Sequence, residues 1–135
     1  MKKLLFCILT FGILIAIPTK AEIVLFCQDE LATGFLKKGG KWQSGNFELK
    51  RHTVKFNDDF TLVYGLTAEP MECVIPFPGS SPNRVHCVHL WGFHETFAYD
   101  KKNTRYTFVN YSAGYVKSGD NPDTDVMYAG TWESF

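Results

Sequence analysis

Hydrophobic and polar residues alternate along much of the chain, with the two-residue period of half-buried β-strands. Residues 23–27 are β-branched or apolar, and residues 60–66 alternate strictly. Further strands are predicted over 84–91, around 97–99, and over 105–111, 115–117 and 126–135. Since no segment beyond the leader keeps a 3.6-residue period, we predict an all-β domain, a small antiparallel barrel or sandwich of about eight strands. Its first and last strands are expected to pair and close the sheet.

Turn signals divide these strands. Three glycines between residues 28 and 40 predict a turn-rich segment with a short helical turn. A break in the alternation near residues 51–52 predicts a β-bulge or bend. Asn57-Asp58-Asp59 and Asp100-Lys101-Lys102-Asn103 predict tight turns between neighbouring strands.

The amino terminus has the pattern of a signal peptide. Two lysines follow Met1, an apolar run extends from Leu4 to Ile17, and Ala21 provides a small residue for cleavage. The run has 14 residues, whereas a membrane-spanning helix needs about 20. We therefore predict cleavage after Ala21, a single β-rich domain over 22–135, a periplasmic or secreted location, and no stable membrane anchor after cleavage.

Charge gives no indication of a nucleic-acid partner. Without its leader the chain holds 11 basic and 14 acidic residues, a formal net charge of −3. The basic residues are scattered along the sequence and form no stripe, which argues against nucleic-acid binding.

Three cysteines remain after the leader is removed. Cys73 and Cys87 flank a segment rich in proline, so we predict that they form a disulfide that closes an irregular loop. A 15-residue loop closed in this way is stabilised by about 3 kcal/mol in the chain-entropy model. Cys27 is then left over, either as a buried inert thiol on the first strand or as the link in a dimer of two chains.

Histidines around residue 90 leave one metal hypothesis open. Cys87 and His89 share a strand face, and His94 could approach them if the chain reverses at Gly92, which would give a zinc site of Cys87, His89 and His94. Zinc ligation by Cys87 would exclude the predicted disulfide. A metal-dependent protein or enzyme is therefore the alternative hypothesis, and the leading one has no metal or cofactor.

Acidic residues predict no catalytic or calcium site. The segment 119–125 lacks the central glycine and the distal glutamate of an EF-hand loop. The pairs Asp29/Glu30 and Asp58/Asp59 fall in predicted turns, where acids are usually solvated, and no nucleophile motif accompanies them. We expect a protein that is not an enzyme.

Aromatic residues make up 16% of the chain. Most are expected to fill the core of a small barrel, while Trp91, Tyr111 and Tyr115 are the candidates for an exposed binding surface. We expect a binding or inhibitor-like module for a protein or small ligand. Size and compartment make it analogous to a lysozyme inhibitor, whose role requires an exposed loop able to enter an enzyme cleft, and the segment Pro76–Asn83 fits this requirement.

Short patterns stand at both ends of the mature chain: Cys27-x-x-x-x-Ala32-Thr33-Gly34-Phe35, Gly40-Lys41-Trp42, Asn46-Phe47, Arg105-Tyr106, Gly114-Tyr115-Val116, Asp123-Thr124-Asp125 and Tyr128-Ala129-Gly130-Thr131. With them the chain resembles a group of small secreted proteins of unknown function from Gram-negative bacteria. The resemblance implies no activity, ligand or catalytic residue. The group's pattern has a cysteine where this chain has Trp132; if that cysteine bonds the one matching Cys27, the first and last strands lie side by side.

Overall fold

The computed structural model describes residues 22–89, 94–111 and 124–134. In these ranges the chain forms nine β-strands and no helix. Consequently none of the described residues belongs to a helix that could cross a bilayer. The strands are β1 (Ile23–Lys38), β2 (Lys41–Asn46), β3 (Arg51–Phe56), β4 (Leu62–Tyr64), β5 (Met71–Val74), β6 (Arg84–His89), β7 (Glu95–Asp100), β8 (Arg105–Tyr111) and β9 (Thr124–Ser134).

Eight of the strands form a closed antiparallel barrel, with β2 as an additional strand. Each of β3 to β9 pairs with its sequence neighbour, and β9 returns to pair with β1. The predicted all-β fold is therefore confirmed as a barrel, as is the pairing of the first and last strands. Cys27 is the register partner of Trp132 in the closing pair, and both are on the inner side, where Trp132 packs against the core.

The first strand is much longer than its sequence indicated. The prediction of turns and a helical turn over 28–40 was wrong, because β1 continues to Lys38 and only Gly39 and Gly40 form the turn, with φ of 58° and 76°. Gly34 lies within the strand for a steric reason: a Cβ there would be 1.9 Å from the backbone oxygen of Asp125 on β9. This glycine permits the close approach of two strands. In the sequence alone, such a glycine looks the same as one that marks a turn.

One irregularity of the sheet lies near its predicted place, and a second one was not predicted. The chain between β2 and β3 leaves strand geometry over residues 47–50, just before the bulge predicted near residue 52. The β1–β9 pairing shifts register between Asp29 and Leu31. The tight turns at 57–60 and 101–104 connect antiparallel strands as expected. The strand predicted over 115–117 lies outside the described residues.

Alternate residues of the strands fill the barrel. Phe56, Phe97, Tyr99 and Tyr106 stack or tilt against one another at centroid distances of 5.3–6.4 Å. Six of the described aromatic residues are thus buried in the core, and Phe47, Phe60 and Trp132 pack against it. The buried members of the core are Leu25, Cys27, Ala32, Val54, Phe56, Val63, Met71, Cys73, Val85, Cys87, Phe97, Tyr99, Tyr106, Phe108, Val126 and Tyr128.

Candidate binding surface

A loop between β5 and β6 is fixed at its base by the predicted disulfide. Cys73 and Cys87 are register partners on these strands, and their sulfurs are bonded at 2.04 Å. We call residues 75–83 the stapled loop. Its sequence, Ile-Pro-Phe-Pro-Gly-Ser-Ser-Pro-Asn, contains no charged residue and three prolines, which restrict the backbone before any partner binds.

Hydrogen bonds order the stapled loop further. The Ser81 amide donates to the Phe77 carbonyl at 2.7 Å, and the Arg84 amide donates to the Ser81 carbonyl at 3.1 Å. The Lys101 amide in turn donates to the Asn83 carbonyl at 2.9 Å, which ties the loop to the β7–β8 turn. The loop is therefore short, is held by hydrogen bonds within itself and to the β7–β8 turn, and has both ends in the sheet.

The tip of this loop presents an aromatic side chain to solvent. Phe77 lies between two prolines and is 61% exposed, and Val74, at the end of β5, is 62% exposed. An exposed phenylalanine on an ordered loop loses little conformational freedom when it enters a partner's pocket. Large aromatic side chains of this kind are frequent anchors of protein interfaces.

Next to the stapled loop, the outer face of the barrel forms an open groove of about 690 Å³. Its floor consists of small side chains on β7, β8 and β9: Ala98, Thr107 and Ala129, which are successive register partners. Small residues across three adjacent strands leave a trough where larger side chains would give a convex surface. On β6 the same row continues to His86, and then to Val74 beside the loop.

Charged residues of both signs line one end of the groove. Arg84 and Arg105 are both register partners of Asp100, so they flank it on β6 and β8. The Asp100 carboxylate accepts hydrogen bonds from the Lys102 and Asn103 amides, each at 2.9 Å, and is 3.9 Å from the Arg84 guanidinium. The Asn103 amide is the main cause of the lowered pKa of Asp100. The lowered pKa keeps Asp100 ionised between the two arginines, and Glu30 also lines the groove, so acidic and basic side chains alternate at this end.

A polar cluster lies inside the barrel. Asp29 is buried on β1; its carboxylate accepts a hydrogen bond from the Tyr106 hydroxyl at 2.5 Å and another from the Lys50 amide at 2.8 Å. The His52 Nε2 atom is 3.7 Å from the same carboxylate and has no hydrogen-bond partner among the described residues. The expectation that Asp29 is a solvated turn acid was wrong. It continues the inward alternation Leu25, Cys27, Asp29, a signal already present in the sequence.

Cys27 lies near this cluster and is unsuited to nucleophilic chemistry. It is the free cysteine of the described ranges, and it is 2% exposed. Burial, and to a smaller extent the nearby Asp29 carboxylate, raise the pKa of the thiol to about 12, so the thiolate is scarce at neutral pH. A disulfide from Cys27 to a second chain would require the barrel to open.

The zinc hypothesis does not fit the observed disulfide, because a bonded Cys87 cannot ligate a metal as a thiolate. Cys87 is held in the disulfide, and the His94 Nδ1 atom is 3.1 Å from the Tyr111 carbonyl. No group of three potential metal ligands occurs in the part of the chain that the structure describes. Cys87 and His89 do point to the same side of β6, as predicted.

Of the three residues predicted to form an exposed aromatic surface, only Tyr111 is among the described residues. Trp91 and Tyr115 lie outside the described residues, as do positions 119–123 of the acidic segment. Tyr111 is half-buried on β8, and its ring contacts that of His94 edge to face at 6.3 Å. The groove residues Arg84, His86 and Arg105 were not singled out as a site, because only strand pairing brings them together.

Comparison with known protein families, with curated proteins and with solved structures finds no match to this chain.

Proposed function

We propose that this protein is a secreted, non-enzymatic binding module of the inhibitor type, which inserts the stapled loop into the cleft of a partner enzyme. The single observation that carries the proposal is the exposed Phe77 on a loop whose two ends are joined by a disulfide. A loop ordered before binding avoids much of the entropy cost of association, which is why rigid loops suit inhibitors. The disulfide is also compatible with an oxidising compartment.

The surface next to the loop offers arginine side chains to a partner site. Arg84 directly follows the uncharged loop and its side chain is 63% exposed, and Arg105 lies on the far side of Asp100 in the groove that Glu30 also lines. Glycoside hydrolases carry two carboxylates on either side of the scissile bond. An exposed arginine next to the exposed Phe77 can pair with a carboxylate of such a cleft when the loop enters it. The partner class we propose is therefore a cell-wall-degrading glycoside hydrolase such as a lysozyme.

Enzyme inhibition tests this proposal directly. The purified exported protein is titrated against a panel of lysozymes from different families, and hydrolysis of cell-wall substrate is followed. We expect inhibition of at least one, and Phe77→Ala to weaken it about tenfold or more, as loss of an anchor residue does. Tyr64→Ala is the matched control, since Tyr64 is an exposed aromatic on the outer side of β4. Inhibition unaffected by Phe77→Ala, or equally reduced by Tyr64→Ala, contradicts the role of the loop.

A second experiment covers partners outside the panel. A photoreactive phenylalanine analogue replaces Phe77, or Tyr64 as control, in the exported protein of the producing cell. We expect one adduct that forms from position 77 and not from position 64, and its identification by mass spectrometry names the partner's class. A panel without inhibition together with no 77-specific adduct would refute the inhibitor proposal. Displacement of a small molecule from the groove would instead favour a small-ligand carrier.

A further inference from the structure

The outer edge of β2 is an unpaired strand edge at the end of the described sheet. β2 pairs with β1 on one side, whereas the barrel closes through β1, β3 and β9. Its residues are exposed along nearly the whole strand. An edge of this kind exposes backbone donors and acceptors to any second strand, and proteins usually protect it with charges, prolines or bulges.

Hairpin geometry determines which backbone groups face this edge. Lys38 and Lys41 close a two-residue turn, so they form a hydrogen-bonded pair and such pairs recur at every second position. The Phe47 amide donates to the Ala32 carbonyl at 3.1 Å, which continues the same phase. The backbone groups of Lys41, Gln43 and Gly45 therefore point toward β1. Those of Trp42, Ser44 and Asn46 point outward.

We propose that this edge pairs with the β2 edge of a second copy of the same chain, to form a symmetric dimer with a continuous sheet. We call the line along which residues 41–47 of the two copies meet the seam. A twofold axis perpendicular to the sheet through Ser44 places Ser44 opposite Ser44 of the second copy and Trp42 opposite its Asn46. All three outward residues of each copy then meet as hydrogen-bonded pairs. The side-chain faces also match, because Trp42, Ser44 and Asn46 share one face of the strand.

Composition and charge favour a second copy over an unrelated strand. Between Trp42 and Asn46 the strand has no charge and no proline, so none of the usual protective features interrupts the edge. In the symmetric register Lys41 lies opposite Phe47 of the second copy at both ends of the seam, so no like charges oppose each other within residues 41–47. The exposed Phe35 and Trp42 lie on one face of the β1–β2 hairpin, beside the seam. Self-pairing therefore opposes no like charges and covers apolar surface.

This interface uses neither the stapled loop nor Cys27. Arg84 and Phe77 belong to the β5–β6 region, whereas the seam belongs to the β1–β2 hairpin, so dimerisation and partner binding are separable. The dimer is also insensitive to reducing agent, unlike one linked through Cys27.

Sedimentation of the purified exported protein under reducing conditions tests the proposal. We expect a monomer–dimer equilibrium that shifts toward dimer between about 10 µM and 1 mM, as for interfaces of modest affinity. Ser44→Pro removes a seam amide and should raise the dissociation constant about tenfold or more. Ser44→Thr keeps the amide and should leave the constant nearly unchanged. A monomer at the highest concentration, or equal dimerisation of Ser44→Pro, would overturn the proposal.

Amide hydrogen exchange of the unaltered protein provides a test that does not depend on the folding of a variant. Exchange at Trp42, Ser44 and Asn46 should slow as the protein concentration rises, while Gln43 and Gly45 stay protected throughout. Concentration-independent exchange at the three outward amides would rule out pairing along this edge, including pairing in another register. A dimer that forms without slowing them would place the interface elsewhere.

Discussion

At the residue scale, the buried Asp29 of the barrel interior is satisfied by partners far away in sequence. The Asp29 carboxylate accepts hydrogen bonds from the Tyr106 hydroxyl and the Lys50 amide, which are 77 and 21 residues away along the chain. A buried carboxylate is costly unless such donors compensate it. This pair of contacts therefore joins β1, the β2–β3 connection and β8 at one buried point.

Removal of these donors and acceptors should destabilise the protein unequally. Tyr106→Phe deletes one hydrogen bond to a charged group and is expected to reduce the free energy of unfolding by about 1.5–3 kcal/mol. Asp29→Ala leaves both the Tyr106 hydroxyl and the Lys50 amide without an acceptor, so a larger loss is expected. Urea unfolding measures both, and the double variant gives the coupling between them. Equal, additive effects of less than about 0.5 kcal/mol would show that the hydrogen bond contributes nothing to stability.

At the level of elements, the long first strand organises the sheet. It pairs with β3 along its first half, with β2 along its second half, and with β9 along most of its length. Such contacts leave little room between the backbones of β1 and β9. Glycine is required at the points of closest approach because it has no side chain. This is a different role from the backbone flexibility that glycine gives to a loop.

Two alanine substitutions separate these roles of glycine. Gly34→Ala places a methyl group against the Asp125 backbone and is expected to cost about 2 kcal/mol or more. Gly79→Ala meets no atom within 4 Å on the stapled loop, so its effect should lie within about 0.5 kcal/mol. Thermal unfolding of the two variants beside the unaltered protein measures the difference. A fully stable Gly34→Ala variant would mean that β1 and β9 can separate locally without cost.

At the scale of the whole molecule, three buried groups that lose a proton at high pH determine how the stability of the fold changes in alkali. They are the Cys27 thiol and the hydroxyls of Tyr99 and Tyr106. Burial raises the pKa of Cys27 from its usual 9 and that of Tyr99 from its usual 10, each to about 12. Burial, followed by the hydrogen bond to Asp29, also raises the pKa of Tyr106. All three groups are therefore neutral in the folded barrel over a range in which the unfolded chain loses their protons.

The sign of the pH dependence follows from proton counting. Above about pH 9 the unfolded state binds fewer protons than the folded state, so the free energy of unfolding falls as the pH rises toward 12. Below pH 9 these groups are protonated in both states, and their contribution is fully present. Denaturant unfolding at pH steps from 7 to 12 should show this loss, with a smaller slope from pH 9 onward for Cys27→Ala. A stability that is constant from pH 9 to 11 would contradict the buried, neutral state of these groups.

Prediction from sequence succeeded where the cause was local. The alternation of hydrophobic residues determined the strand content, and the Asn-Asp and Asp-Lys-Lys-Asn segments determined two tight turns. The prolines between Cys73 and Cys87 indicated the stapled loop and its disulfide. The glycines of residues 28–40 misled the prediction because glycine serves both turns and close strand crossings, and only the position of β9 distinguishes the two.

By itself, the sequence determined that this chain is built from antiparallel strands and that two of its cysteines close an exposed, proline-rich loop. These properties depend on side-chain periodicity and backbone preference, which operate within a few residues. Only the tertiary structure decided that Asp29 is buried, that Cys27 is opposite Trp132, and that Arg84 and Arg105 flank one groove. These placements depend on strand register between distant segments, and register is set by the packing of the whole barrel.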